Sequence, residues 1–100
     1  MPMAQRFGAE LFGTFLLSLV VVTGIVLGMN IITAVFAAML LAIIVYTVGH
    51  ISGAHINPGI TVGAFLINKI SWKDALVNLA AQFAGAGLAI LVAEIGRAHV

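Results

Sequence analysis

The residues that could do chemistry lie mainly in one short stretch, SGAHINPGIT at positions 52–61. Asn57 is a strong helix N-cap, because its side-chain carbonyl can accept from the free backbone N–H groups of the next turn. Pro58 then fits the first helical position, where its missing N–H costs nothing. With that carbonyl engaged, the amide NH₂ of Asn57 is left as a hydrogen-bond donor. The stretch therefore predicts a hydrogen-bonding site at the start of a short helix.

Catalysis and metal binding find little support in the sequence. There is no cysteine and no HExxH pair, and the acidic residues Glu10, Asp74 and Glu94 are far apart. His50 and His55 lack a third ligand of suitable type nearby. An intramembrane enzyme is therefore the least supported alternative, and we expect no metal and no cofactor.

Composition indicates an integral membrane protein. The chain is 63% hydrophobic and 7% charged, with a mean hydropathy of +1.25, far from the composition of soluble domains. No formal charge occurs from Leu11 to Asn68 or from Ala75 to Ala93, so both regions can hold spans of about 20 residues. We expect a multi-pass protein of the plasma membrane. A net charge of +1 gives no case for nucleic acid.

The predicted fold is an all-α membrane protein with three transmembrane helices and one re-entrant half-helix. Helix one is expected over 4–28, helix two over 31–48, the re-entrant loop and half-helix over 50–68, and helix three over 72–96, in a single domain of residues 1–100. A half-helix from Pro58 to Asn68 would rise about 16 Å, half of a bilayer core of about 30 Å. Its N-terminus would carry partial positive charge at membrane depth.

These residues resemble the aquaporin and glycerol-facilitator family, the major intrinsic proteins, and specifically the first of that family's two inverted halves. The resemblance rests on AELFGTFLL at 9–17, GHISGAHINPGIT at 49–61 and KDALVNLAAQFAGA at 73–86. The family's Asn-Pro-Ala motif appears here as Asn57, Pro58 and Gly59. The resemblance implies that two half-helices abut at the membrane midplane, where their Asn side chains donate to a single file of permeating molecules.

The function that this resemblance implies is passive passage of water and small neutral solutes such as glycerol. Because the chain resembles one half, we hypothesise an antiparallel homodimer that makes one pore, related by a two-fold axis in the membrane plane. If the family's usual tetramer carries over, four dimers would assemble. Lys and Arg number three on one expected face and one on the other, a weak orientation bias compatible with insertion both ways.

The alternative is a half-channel fragment or packing subunit without transport of its own. Met1 and its short lead favour a natural start, whereas the end at Gly96 to Val100 fits either a stop or a cut.

Roles for the remaining polar residues follow from the resemblance and from membrane energetics. The backbone at 50–56 is expected to line the lumen, because irregular backbone at membrane depth must line water or be buried in protein. Glu10 is costly in an apolar span unless it is paired, so we expect it to form hydrogen bonds that hold the backbone near the half-helix. Proton transport through Glu10 is the alternative role. His55 either braces the loop and touches the lumen or is a packing histidine. The pore-lining set is Gly53, Ala54, His55 and Ile56, the structural braces are Glu10, Gln82 and His50, and His99 is expected in a solvated tail.

The selectivity-determining positions differ from those of water-selective relatives. The bulky aromatic that those relatives carry twenty residues before the motif Asn is Ala37 here. Ile60 takes the place of the Arg that follows the motif Asn in the family's second half. A mouth lined by Ala37, Val45 and the partner's Ile60 would be wide and apolar, so glycerol-like solutes and ammonia are expected to pass as well as water.

Overall fold

Helices make up almost all of residues 2–98, the part of the chain that the computed structural model describes. Four helices follow in order: α1 Met3–Val26, α2 Ile31–Ser52, α3 Pro58–Leu66 and α4 Trp72–Ala98. Of these, α1, α2 and α4 are long and apolar enough to cross a membrane. The nine residues of α3 rise only about 14 Å. The prediction of an all-α membrane fold with three spans and one short helix is confirmed; His99 lies outside the described residues.

The ends of all four helices differ from the predicted bounds. Helix α1 ends at Val26 rather than 28, α3 ends at Leu66 rather than 68, and α4 extends to Ala98, beyond the predicted 96. Helix α2 continues four residues beyond the predicted end at 48, because nothing in that segment breaks it until Gly53. Gly53 has φ +84° and forms the left-handed C-cap that commonly ends a helix. The irregular segment therefore covers 53–57 and not 50–56.

Helices α1 and α4 run parallel, with their backbones in close contact. Arg6 lies level with Asp74, Glu10 with Gln82, and Leu11 with Gly85. A Cβ added to Gly85 would lie 2.5 Å from the carbonyl oxygen of Leu11. Ala81 and Ala89, one turn to either side of Gly85, are completely buried. Small side chains thus set the separation of the two helices, as is typical of helix pairs in membranes.

The irregular segment packs its apolar side chains between α1 and α2. Ala54 and Ile56 are buried and form a small core with Ile44 of α2. The side chain of Ile56 lies against Gly13 of α1, where a Cβ would clash with it. The outer surface of α2 is largely exposed, with Ile44 and Ser52 as its buried residues. One copy of the chain therefore leaves most of α2 to be covered by lipid or by other protein.

Substituting Gly85 by Ala tests the close contact between α1 and α4. We expect the change to lower the free energy of unfolding by about 1–3 kcal/mol, because the new methyl group would overlap backbone that cannot move away. Denaturation in mixed detergent–SDS micelles, followed by circular dichroism, measures the change. Gly87→Ala is the matched control, since no atom lies within 4 Å of a Cβ there. Equal stability of the two variants would contradict the contact.

Candidate functional site

The carboxylate of Glu10 is the centre of the site. It lies on α1, is completely buried, and accepts four hydrogen bonds. Its donors are the Ser52 hydroxyl at 2.7 Å, the backbone N–H groups of His55 at 3.1 Å and Ile56 at 3.0 Å, and Gln82 Nε2 at 2.8 Å. A buried carboxylate is costly unless it is hydrogen-bonded in this way. Glu10 therefore ties together α1, the end of α2, the irregular segment and α4.

The backbone of the irregular segment adopts a conformation that few side chains accept. Ala54 has φ +50° and Ile56 has φ +59°. Positive φ is a genuine outlier for a β-branched residue such as Ile56, and each such residue costs about 1–3 kcal/mol. The bonds from Glu10 to the N–H groups, together with burial of the Ile56 side chain, offset that cost. The segment is thus strained and held in place from α1.

This arrangement leaves a row of carbonyl groups without protein partners. In the described part of the chain, the carbonyl oxygens of Gly53, Ala54, His55 and Ile56 accept no hydrogen bond from backbone or side chain. The carbonyl of Ser52 differs, because it accepts from Nη1 of Arg6 at 3.0 Å. At membrane depth, such carbonyls must face water or another protein. The segment therefore presents up to four adjacent acceptors.

Asn57 adds a donor beside these acceptors. Its Oδ1 accepts from the N–H of Gly59 at 2.7 Å and caps α3, and Pro58 occupies the first helical position. The Asn57 side chain is exposed, and its Nδ2 has no partner among residues 2–98. Acceptors on the loop and a donor at the helix start thus lie next to one another along the chain.

A second layer of polar groups supports the loop and α3. Thr61, Asn78 and Gln82 are buried. Gln82 Nε2 donates to Thr61 Oγ1 at 2.9 Å, and the His55 ring meets both Thr61 and Asn78 through Nδ1, at 3.0 and 3.1 Å. Arg6 Nη1 contacts Asn78 Oδ1 at 3.4 Å, while Nη2 lies 3.5 Å from Asp74. All four helices meet in this one network.

The structure brings together some of the predicted site residues and leaves others apart. Glu10, Gln82 and His55 share one network, next to Asn57. The side chains of Ala54 and Ile56 are buried in the core, so only their backbone can line a lumen. His50 is exposed in the last turn of α2, and its side chain makes no hydrogen bond within the described residues, so the structure does not show the bracing predicted for it.

The three predicted constriction positions lie on two helices, Ala37 and Val45 on α2 and Ile60 on α3. Ala37 is half-buried in a groove between α1 and α2, whereas Val45 and Ile60 are exposed on α2 and α3. No metal site was expected, and residues 2–98 contain no cluster of three or more His, Asp or Glu side chains suited to a metal ion.

Four polar residues of the network escaped the sequence analysis: Arg6, Ser52, Thr61 and Asn78. The spacing of Arg6 and Asn78 relative to other polar residues carries a signal for two helices, α1 and α4. Arg6 and Glu10 are four residues apart, as are Asp74, Asn78 and Gln82, so each set shares one helix face. Polar residues in apolar helices face other protein groups or water. The two facing stripes would have paired α1 with α4.

Substituting Glu10 by Gln tests whether this carboxylate holds the loop. The amide replaces one acceptor oxygen with a donor, so at least one buried N–H or NH₂ loses its partner at a cost of about 1–3 kcal/mol. We expect the amides of His55 and Ile56 to exchange hydrogen about 10- to 100-fold faster, since each 1.4 kcal/mol is a factor of ten. Hydrogen exchange in lipid nanodiscs measures this. Glu94→Gln is the control, because the Glu94 side chain is exposed and, within residues 2–98, its one ion pair is with Arg97 at 3.8 Å. Unchanged exchange in the Glu10 variant would contradict the role.

Comparison with known proteins identifies the family. A family model described as major intrinsic protein matches residues 1–98. The chain is similar to aquaporin NIP1-1 of Oryza sativa subsp. japonica, with 34% identity over 88% of this chain and 34% of the relative. It is also similar to the glycerol uptake facilitator protein of Bacillus subtilis strain 168, with 36% identity over 80% of this chain and 33% of the relative.

The match covers nearly all of this chain but only part of each relative. The chain spans about a third of the length of these curated relatives. The family match, the three apolar helices of membrane length and the short capped helix agree with one another. The chain belongs to the major intrinsic protein family, whose members are integral membrane proteins.

Proposed function

We propose that this chain is one half of a passive channel for water and small neutral solutes such as glycerol, and that two antiparallel copies complete the pore. Relatives of the chain are named as aquaporins and as a glycerol uptake facilitator. Their names support a channel rather than an enzyme.

The observation that carries the proposal is the row of free carbonyls at 53–56 beside the free Nδ2 of Asn57. Backbone acceptors without protein partners are tolerated at membrane depth only where they line a polar cavity or meet another protein. A water molecule or a hydroxyl of glycerol donates to such carbonyls in turn, while its oxygen accepts from Asn57. The site therefore offers neutral molecules a replacement for the hydrogen bonds that they lose on leaving bulk water.

The start of α3 disfavours cations at the same place. The N-terminus of a helix carries about half a positive elementary charge, and Asn57 and Pro58 place that end beside the free acceptors. Two such ends facing one another repel cations, and two Asn57 donors orient a water molecule by its oxygen. Passage of neutral molecules with protons disfavoured is the expected behaviour.

A single α3 covers only half of the distance across the membrane. Its rise of about 14 Å leaves the other half of a core of about 30 Å without the acceptors that line the first. A second copy in the inverted orientation supplies them, through a two-fold axis in the membrane plane. Largely exposed α2 and α3 leave surface for that contact. Four such dimers are the assembly that the family's tetramer would imply.

The predicted mouth favours solutes wider than water. Ala37 is small, and Val45 and Ile60 are apolar and exposed, at 48% and 56% of their surface. Together they would line a wide mouth without a cationic side chain. Glycerol and ammonia are therefore expected to pass as well as water, with less strict exclusion of ions.

Liposomes that contain only this chain test transport. We expect them to swell faster than empty liposomes in an osmotic gradient and to take up glycerol. Asn57→Ala should lower both rates by up to about tenfold, because one hydrogen bond of about 0.5–1.5 kcal/mol is lost at the narrowest point. Asn68→Gly, at the other end of α3, is the control, since glycine readily adopts the φ of +61° found there. Liposomes no more permeable than empty ones would favour the fragment or packing subunit. Permeability to water alone would contradict the wide mouth.

The antiparallel arrangement has a test of its own. The chain has no cysteine, so Lys69→Cys introduces a single thiol in the loop after α3. We expect membrane-impermeant maleimide to label about half of the chains in native membranes from each side, because the dimer needs equal numbers of both orientations. The same labelling of Arg97→Cys, at the opposite end, should give the same division. Labelling from one side only would exclude the antiparallel dimer.

A further inference from the structure

The imidazole of His55 lies where two series of side-chain hydrogen bonds end, and each series is called a hydrogen-bond chain below. Its Nδ1 is 3.1 Å from Nδ2 of Asn78 and 3.0 Å from Oγ1 of Thr61. Its Nε2 has no hydrogen-bond partner in the described part of the chain. Which of the two nitrogens carries the proton decides whether the open side of the ring donates or accepts. The polar groups that contact Nδ1 determine which nitrogen carries the proton.

The first chain begins at Arg6. A guanidinium group can only donate hydrogen bonds, and its Nη1 lies 3.4 Å from the side-chain oxygen of Asn78. That contact fixes the amide with its oxygen towards Arg6 and its NH₂ towards His55. An amide NH₂ cannot accept a hydrogen bond. Nδ1 of His55 must therefore present its lone pair.

The second hydrogen-bond chain begins at the negatively charged Glu10 and also reaches Nδ1 of His55. The Glu10 carboxylate can only accept, so the amide of Gln82 turns its NH₂ towards Oε1, at 2.8 Å. The same NH₂ donates to Thr61 Oγ1 at 2.9 Å. That hydroxyl oxygen accepts from Gln82 and still has its hydrogen, which can donate to Nδ1. The second chain is therefore compatible with the lone pair on Nδ1 that the Asn78 NH₂ requires.

We propose that Arg6, acting through Asn78, fixes neutral His55 in the tautomer that carries its proton on Nε2, and that Glu10, acting through Gln82 and Thr61, supports that tautomer. Arg6 and Glu10 are positioning residues in this arrangement. Among the described residues, the N–H that results has no hydrogen-bond partner. Gly53 lies beside it, and a Cβ at Gly53 would come within 3.1 Å of Nε2. Glycine thus keeps the donor open.

This tautomer adds to the channel proposed above, and its role there rests on that proposal. The free carbonyls at 53–56 accept, whereas Nε2–H of His55 donates, as does Nδ2 of Asn57. A neutral molecule that moves along the loop meets a second donor two residues before the motif Asn. The other tautomer would present one more acceptor and no donor at this place.

Nitrogen NMR of ¹⁵N-histidine-labelled protein in lipid nanodiscs tests the tautomer directly. His50→Asn and His99→Asn variants assign the His55 signals by elimination. At neutral pH, we expect the Nδ1 resonance of His55 in the range of a non-protonated imidazole nitrogen and the Nε2 resonance in that of a protonated one. A protonated Nδ1 in the wild-type protein would overturn the proposal.

Two variants separate the positioning role from a general structural one. Asn78→Asp replaces the NH₂ with an acceptor of the same shape, so the Nδ1 resonance should shift to the protonated range. Glu94→Gln, farther along the same helix, changes an exposed carboxylate outside this network and should leave the tautomer unchanged. A non-protonated Nδ1 in folded Asn78→Asp protein would overturn the proposal, as would a changed tautomer in Glu94→Gln. The wild-type spectrum decides the matter if Asn78→Asp does not fold.

Swelling assays on the same wild-type sample keep this inference apart from the proposed function. A proton on Nε2 in a protein that gives no permeability would uphold the tautomer and contradict the channel. A proton on Nδ1 in a permeable protein would do the reverse.

Discussion

The buried carboxylate of Glu10 is the interaction on which the rest of the structure depends. It is the one charged side chain of the described residues that is completely buried, and every acceptor position that it offers is used by the loop, by α2 or by α4. In an apolar setting a carboxylate without such donors would cost several kcal/mol. The same four bonds that make the charge tolerable give the chain its three-dimensional connections, because they join segments 42 to 72 residues apart in sequence.

The loop has partners for its N–H groups but not for its carbonyl groups, and the proposed channel depends on that difference. Glu10 takes the N–H groups of His55 and Ile56, so the carbonyls of the segment are turned away without partners. A regular helix would have used both kinds of group within itself, since each N–H there bonds a carbonyl four residues earlier. The positive φ values of Ala54 and Ile56 are the backbone conformation that accompanies this arrangement of N–H and carbonyl groups. Strain, buried charge and free acceptors are three aspects of one arrangement.

Local signals in the sequence sufficed for the helices and for the start of α3. The charge-free runs predict the spans, and the Asn57–Pro58 pair predicts the cap, since each depends on neighbours within one turn. The end of α2 was missed because Gly49 and Gly53 look alike in sequence, although only Gly53 adopts positive φ. The contacts of Arg6 with Ser52 and Asn78 depend on how α1 and α4 pack, which no local pattern reports. The four-residue spacing of polar side chains on both helices was the available signal.

The α1–α4 pair and helix α2 differ in the residue types at their surfaces, and this makes the first rigid and the second adaptable. The parallel pair α1 and α4 meets through glycine and alanine, whose side chains have no rotamers to lose, so their separation is fixed by backbone contact. Polar groups between them can then be held at hydrogen-bond distance with little freedom. Most of helix α2 is apolar and exposed, and Ser52 at its end is its contribution to the polar network. Lipid or protein can cover an exposed apolar surface equally well, because helices that associate within a membrane gain little from the hydrophobic effect. In the proposed dimer, the free donors and acceptors at the start of α3 are therefore the groups that would distinguish a matching half from lipid.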